Sequence, residues 1–173
     1  MSETGIRPAT AFDGARIAAI HIQAWQQGYA HLLPEHYLRG LGNQLPTRTR
    51  QWQERIREGQ RVLLAERAGQ VIGWLVWGHS RDAEARAGCG EIHAINLDPA
   101  HWRLGAGRRL METAHAELAG AGFSEVTLWV LEGNARALAF YQTLGYHRDQ
   151  GLVHEQERGG ATLREWRLRR PLA

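Results

Sequence analysis

Between Leu97 and Met111 the chain reads Leu97-Asp98-Pro99-Ala100-His101-Trp102-Arg103-Leu104-Gly105-Ala106-Gly107-Arg108-Arg109-Leu110-Met111, an apolar strand end joined to an amphipathic helix through glycines and arginines. A helix start offers unpaired backbone N–H groups and the positive end of a dipole, and glycine lets an anion come close to that backbone. The chemistry this spacing suits is the holding of a diphosphate. The amides of Leu104, Gly105, Ala106, Gly107 and Arg108 form the expected cradle, and Arg103 and Arg108 are expected to add charge-assisted contacts. A dinucleotide fingerprint fits poorly, because it requires a third small residue where Leu110 stands and belongs to the first strand of a chain.

The elements that must position this loop follow from periodicity and turn residues. A short strand is predicted at Gly5–Ala9, then a helix capped by Asp13 with Ile17, Ile20 and Ala24 at helical spacing toward Trp25. Pro34 marks a helix start within Tyr29–Leu41, and Thr47–Glu58 reads as a helix with Trp52 and Ile56 on one side. Two β runs, Arg61–Glu66 and Val71–His79, flank Ala68-Gly69-Gln70 and predict a hairpin. Beyond a polar loop, Ser80–Gly88, come a strand at Cys89–Leu97, a helix at Gly107–Leu118 and a strand at Glu125–Val130. That strand–helix–strand order implies a parallel pair with a right-handed crossover. A helix at Asn134–Leu144 and a hairpin of Tyr146–His154 with Ala161–Leu168 complete the chain. With no repeat or linker, one domain over residues 1–173 is expected.

Composition removes several classes of function. All 21 basic residues are arginine, so a Walker phosphate loop and a pyridoxal Schiff base, both of which need lysine, drop out. Cys89 is the only cysteine, which excludes an internal disulfide and any two-cysteine zinc motif; no metal is expected. The net charge of +3 is mild and the arginines are interspersed with glutamates, so no nucleic-acid partner is called for. No apolar run reaches membrane-span length and no signal core opens the chain, so a cytoplasmic protein without a membrane partner is expected.

A second constellation lies in Gly133-Asn134-Ala135-Arg136-Ala137-Leu138-Ala139-Phe140-Tyr141-Gln142-Thr143-Leu144-Gly145-Tyr146. Asn134 and Tyr141 are two helical turns apart, on the order of 10 Å along the axis, so both project from one face toward a common ligand. Taken with the glycine loop, this segment resembles the GNAT acetyltransferase superfamily across nearly the whole chain. The family's loop pattern is Gln or Arg, two residues, Gly, one residue, then Gly or Ala. Here it falls on Trp102, Gly105 and Gly107, with Trp102 departing from it and Arg103 beside it.

The resemblance implies an α/β (α+β) fold with a mixed, mainly antiparallel, twisted sheet whose central parallel strands splay apart. It implies acetyl-CoA in that gap, its pantetheine arm hydrogen-bonded along Ile95 and Leu97, with Asn134 near the arm and Tyr141 near the sulfur as general acid. The expected activity is N-acetylation of a primary amine of a small molecule or peptide, by direct attack in a ternary complex. The alternative is a non-catalytic acyl-CoA sensor. An attacking amine must shed a proton, so a base or a water chain leading to one is expected; Glu91 matches a catalytic glutamate in part of the family, and His93 shares its face by strand alternation. A bulge, common in this strand of the family, would disturb that parity. Glu91 paired to an arginine and His93 half-buried in the sheet are the competing assignments. Trp25, Tyr29, His31, His36 and Tyr37 fall where the family builds its acceptor pocket, and Trp25 and Tyr29 are the expected substrate contacts with Glu91 and His93. A homodimer is expected by analogy only. Cys89 is expected in the core.

Overall fold

The computed structural model describes residues 3–172. Strand β1 (Thr4–Pro8) leads into helix α1 (Gly14–Gly28), followed by α2 (Glu35–Gly40) and α3 (Leu45–Arg57). Strands β2 (Val62–Arg67), β3 (Gln70–His79) and β4 (Cys89–Leu97) precede α4 (Ala106–Gly120) and β5 (Glu125–Leu131). Helix α5 (Ala135–Thr143) and strands β6 (His147–Arg158) and β7 (Ala161–Pro171) follow. The seven strands form one sheet in the order β1-β2-β3-β4-β5-β7-β6, antiparallel throughout except for the β4–β5 pair.

The near-continuous apolar runs in β2 and β3 are explained by helices on both faces of the sheet. On one face Leu63, Ala65 and Leu75 pack with Leu110, Met111 and Leu118 of α4. On the other, Leu64, Trp74 and Val76 pack with Ile17 and Ile20 of α1 and Trp52 of α3. Complete burial of Leu110 is worth roughly 1.5–3 kcal/mol and fixes α4 against the sheet, which in turn fixes the glycine loop at its start. Among the described residues no helix is long and apolar enough to cross a membrane.

Two local expectations are corrected. Asp13 precedes α1 but makes no side-chain cap to it, because its carboxylate accepts from the Thr10 N–H and from Arg7 and instead closes the short turn Ala11–Asp13. The last hairpin extends past His154 to Arg158, since the polar run Glu155–Arg158 pairs with Ala161–Arg164 along an exposed edge, where charged residues are tolerated.

Two histidines, His115 buried and His21 half-buried, are held as neutral rings. Burial, aided by Arg170, lowers His115 to about 4, and its ring meets the Tyr146 hydroxyl at 2.7 Å. Burial and then Arg48, Arg158 and Arg55 lower His21 to about 3. Each loses protons on folding relative to an ordinary histidine, so its contribution to stability is complete above about pH 6.5 and declines as pH falls toward these lowered values. Urea unfolding is expected to show stability falling between pH 6.5 and 4.5, before the low-lying carboxyls of Asp13 and Asp98 titrate. His115→Gln is expected to flatten the slope; a pH-independent wild type would contradict it.

Candidate active site

Strands β4 and β5 pair only over Cys89–Glu125, Gly90–Val126 and Glu91–Thr127, and then part. The parting coincides with a bulge: Val76 of β3 opposes Ala94 and Trp77 opposes Ile92, leaving His93 as the extra residue. A bulge bends its strand and strengthens the local twist, which carries the second half of β4 away from β5 while its bonds to β3 persist. It also switches the side-chain parity, so that Ile92 before it and Ile95 and Leu97 after it all meet the α4 core.

The opened gap is a cleft of about 400 Å³. Ile95, Asn96 and Leu97 form one wall, Trp129, Val130 and Leu131 the other, and α5 closes it with Asn134, Phe140 and Tyr141. The Asp98 N–H donates to Ile72 of β3 at 2.8 Å. Because strand amides alternate in direction, the Leu97 N–H points into the gap. The Leu97 carbonyl, on the same side, accepts from the Trp102 indole N–H at 3.0 Å.

The glycine loop forms the mouth of the cleft. Gly105 caps α4 in the left-handed region at φ 85°, and Arg103 is also left-handed, at φ 64°. A Cβ on Gly107 would lie 3.1 Å from Leu97 and 3.3 Å from Phe140, so glycine there keeps α4 tight against both cleft walls. The first α4 amide to bond back is that of Arg109, to Gly105 at 3.1 Å, which leaves the Ala106, Gly107 and Arg108 N–H groups without helical acceptors. Arg103, Arg108 and Arg136 line this end. The Arg136 guanidinium carbon lies over the Trp102 ring, 3.5 Å from its centre, and burial followed by repulsion from Arg103 lowers its pKa. A helix start without a side-chain cap, beneath three cations, suits a multiply charged anion.

Of the expected cradle residues, Arg103, Gly105, Gly107 and Arg108 line the cleft. Leu104 is half exposed and Ala106 is buried beneath the loop, so each offers only backbone. Asn134 and Tyr141 line the cleft together, and the Asn134 side chain also accepts from the Ala137 N–H at 3.2 Å to cap α5. Tyr141 is buried, which raises its phenol, with a further push from Tyr29, and no hydrogen-bond partner for its hydroxyl exists among the described residues. A phenol so placed stays protonated and can give its proton to a basic leaving group.

Glu91 and His93 stand elsewhere. The Glu91 carboxylate is 1% exposed and is bound by the Arg81 N–H at 2.7 Å and the Arg81 guanidinium at 2.5 Å. Glu91 is thus paired to an arginine and lies outside the residues that line the cleft. His93, in the bulge, turns its ring to the His79 carbonyl at 2.9 Å, outside the cleft lining. Tyr29 lines the cleft, whereas Trp25 packs behind it, ring to ring at 4.9 Å. Cys89 is buried and its thiol is raised by that burial, as befits a core residue. Sequence reasoning missed Trp129, Arg136 and Glu165; alternation along β7 groups Leu163, Glu165 and Arg167 on one face and was the available signal for Glu165.

Residues 22–146 match the model of the acetyltransferase (GNAT) family. The chain belongs to the GNAT acetyltransferase family. Among its relatives, an uncharacterized N-acetyltransferase, YuaI, of Bacillus subtilis is 31% identical over 160 residues, covering 92% of this chain and 88% of that one. Among solved structures, a ribosomal-protein-alanine N-acetyltransferase from Brucella melitensis superposes with a TM-score of 0.74 at 24% identity, covering 97% of this chain and 99% of that chain. The Salmonella typhimurium acetyltransferase yncA, described with its cofactor acetyl-CoA, gives 0.72 at 22% identity over 98% and 94%. The mainly antiparallel sheet with one parallel pair is thus the GNAT fold.

Within this GNAT chain Trp102 takes the place of the family's Gln or Arg and uses both faces of its chemistry, the N–H on Leu97 and the ring under Arg136. The left-handed Arg103 costs about 1 kcal/mol that glycine would not. Arg103→Gly is expected to leave the unfolding midpoint in urea unchanged or raised; a fall of more than about 1 kcal/mol in stability would show that the side chain supports the fold.

Proposed function

We propose that this protein is an acetyl-CoA-dependent N-acetyltransferase acting on a primary amine by direct attack with both reactants bound. The observation that carries the reading is the cleft between β4 and β5, which has backbone groups unpaired along its wall and unpaired helix amides with three arginines at its mouth. An extended pantetheine arm with two amides is the ligand class such a wall accepts, as a further strand would be. Arg103, Arg108 and Arg136 would hold the diphosphate with the Ala106–Arg108 amides. Relief of the repulsion between Arg103 and Arg136 adds to that binding.

Bound acetyl-CoA supplies an electrophilic thioester carbonyl and a thiolate leaving group. The Leu97 N–H donates to the carbonyl oxygen as charge gathers there, and Tyr141 donates its phenolic proton to the sulfur. The acceptor enters from the α1 side of the sheet, past Tyr29 and Trp129, so the two reactants meet across the opened strands.

Thiol release from acetyl-CoA in the presence of a primary-amine panel is the direct assay. Tyr141→Phe is expected to lower kcat by about 10²-fold or more with little change in acetyl-CoA affinity. An unchanged kcat would remove Tyr141 from the proton transfer, and acetyl-CoA uptake without thiol release from any amine would favour a sensor.

A further inference from the structure

Both signs of charge line the cleft. Its cations, Arg103, Arg108 and Arg136, gather at the glycine-loop end, and the one carboxylate among its lining residues is Glu165 of β7. Four other carboxylates of the sheet and the loop before β4 are held by guanidinium groups: Glu91 by Arg81 at 2.5 Å, Asp82 and Asp149 by Arg167 at 2.9 and 2.7 Å, and Glu125 by Arg169 at 2.9 Å. Glu165 differs from these four. Its partner among the described residues is the His154 ring, at 3.4 Å.

Position supports a purpose for this difference. Glu165 pairs with Leu131 across β5–β7 and with His154 across β6–β7, and so sits beside the β5 wall of the cleft. Its side chain is one-fifth exposed, whereas the His154 ring is 63% exposed, so the pair runs from the cleft wall to bulk solvent. The surroundings are aromatic. Trp129 lies two residue pairs away on β5 and meets His154 ring to ring at 5.8 Å, and the Tyr29 phenol, raised mainly by burial, feels the Glu165 charge next.

We propose that Glu165 binds the ammonium group of the acceptor and takes its proton, and that His154 passes that proton to water. The inference rests on the acetyltransferase reading above and names the base which that reading leaves open. An anion flanked by an indole and a phenol selects a primary ammonium carried on an apolar or ring-bearing group, since both ring faces favour a cation.

The protons balance. The ammonium loses one to the Glu165 carboxylate, which hands it through His154 to solvent, leaving a neutral amine. Its nitrogen forms the bond to the acetyl carbon as the carbon–sulfur bond breaks. The sulfur takes the Tyr141 proton, and the second proton shed by the nitrogen restores that phenol. One proton is released for each amide and free thiol formed. Glu165 is therefore a catalytic residue and His154 a positioning and relay residue.

The test uses 2-phenylethylamine and its neutral isostere 2-phenylethanol, titrated calorimetrically into the CoA-loaded full chain, with thiol release from acetyl-CoA and the amine measured in parallel. The wild type is expected to bind the amine about tenfold more tightly than the alcohol, the scale of one charge-assisted contact. Glu165→Gln is expected to abolish that preference and cut thiol release by about 10²-fold, with acetyl-CoA affinity unchanged; the last measurement also shows that the variant is folded. His154→Ala is expected to keep the preference and slow turnover less. No preference in the wild type, or a preference or turnover that survives Glu165→Gln, overturns the assignment. A wild type that fails to take up acetyl-CoA, or that binds both ligands without releasing thiol, strikes the acetyltransferase reading instead.

Discussion

The loss of hydrogen bonding between β4 and β5 beyond Glu91 and Thr127 is the constraint on which the rest of this molecule turns. A central sheet that stops pairing leaves backbone donors and acceptors facing a cleft, and buried groups of that kind need partners. The chain supplies some itself: the Trp102 indole takes the Leu97 carbonyl. Its neighbour, the Leu97 N–H, is left for a ligand. The His93 bulge makes the parting compatible with an intact β3–β4 ladder, so the sheet keeps its stability on one side of β4 while opening on the other. The same bulge turns Ile95 and Leu97 into the α4 core, which anchors the wall of the cleft.

Rigid supports surround this opening. Met111 and Leu110 are fully buried against the sheet, so the start of α4 cannot drift from the end of β4, and Gly107 lets the two approach within contact of Phe140. The result is a cleft lined by three arginines near the start of α4 and by one carboxylate, Glu165. Anionic groups are attracted to those arginines and cationic groups to that carboxylate.

What was legible in the sequence was local. Strand, glycine loop and helix are adjacent in the chain, and hydrophobic period, Asp98-Pro99 and the glycines mark their limits, so the cradle and the parallel crossover could be read directly. Asn134 and Tyr141 share one helix and one face for the same reason. The pairing of Glu91 was not legible, because Arg81 comes from the loop before β4 and nothing in the composition of that loop announces where the guanidinium folds back. Trp102 and Arg136 meet only through the tertiary approach of two separate helix starts. Glu165 was hidden by topology, since β7 inserts between β5 and β6 and places a residue near the end of the chain against the cleft wall. The bulge carried no glycine or proline to reveal it.

The central claim is that acetyl-CoA lies in the β4–β5 gap with its diphosphate at the start of α4. Amide hydrogen exchange with and without acetyl-CoA tests it residue by residue, because a newly bonded amide exchanges more slowly. The account requires slowing at Leu97 and at Ala106, Gly107 and Arg108, whose N–H groups lack protein acceptors along the cleft. Uptake of acetyl-CoA that leaves those four amides unchanged would contradict it.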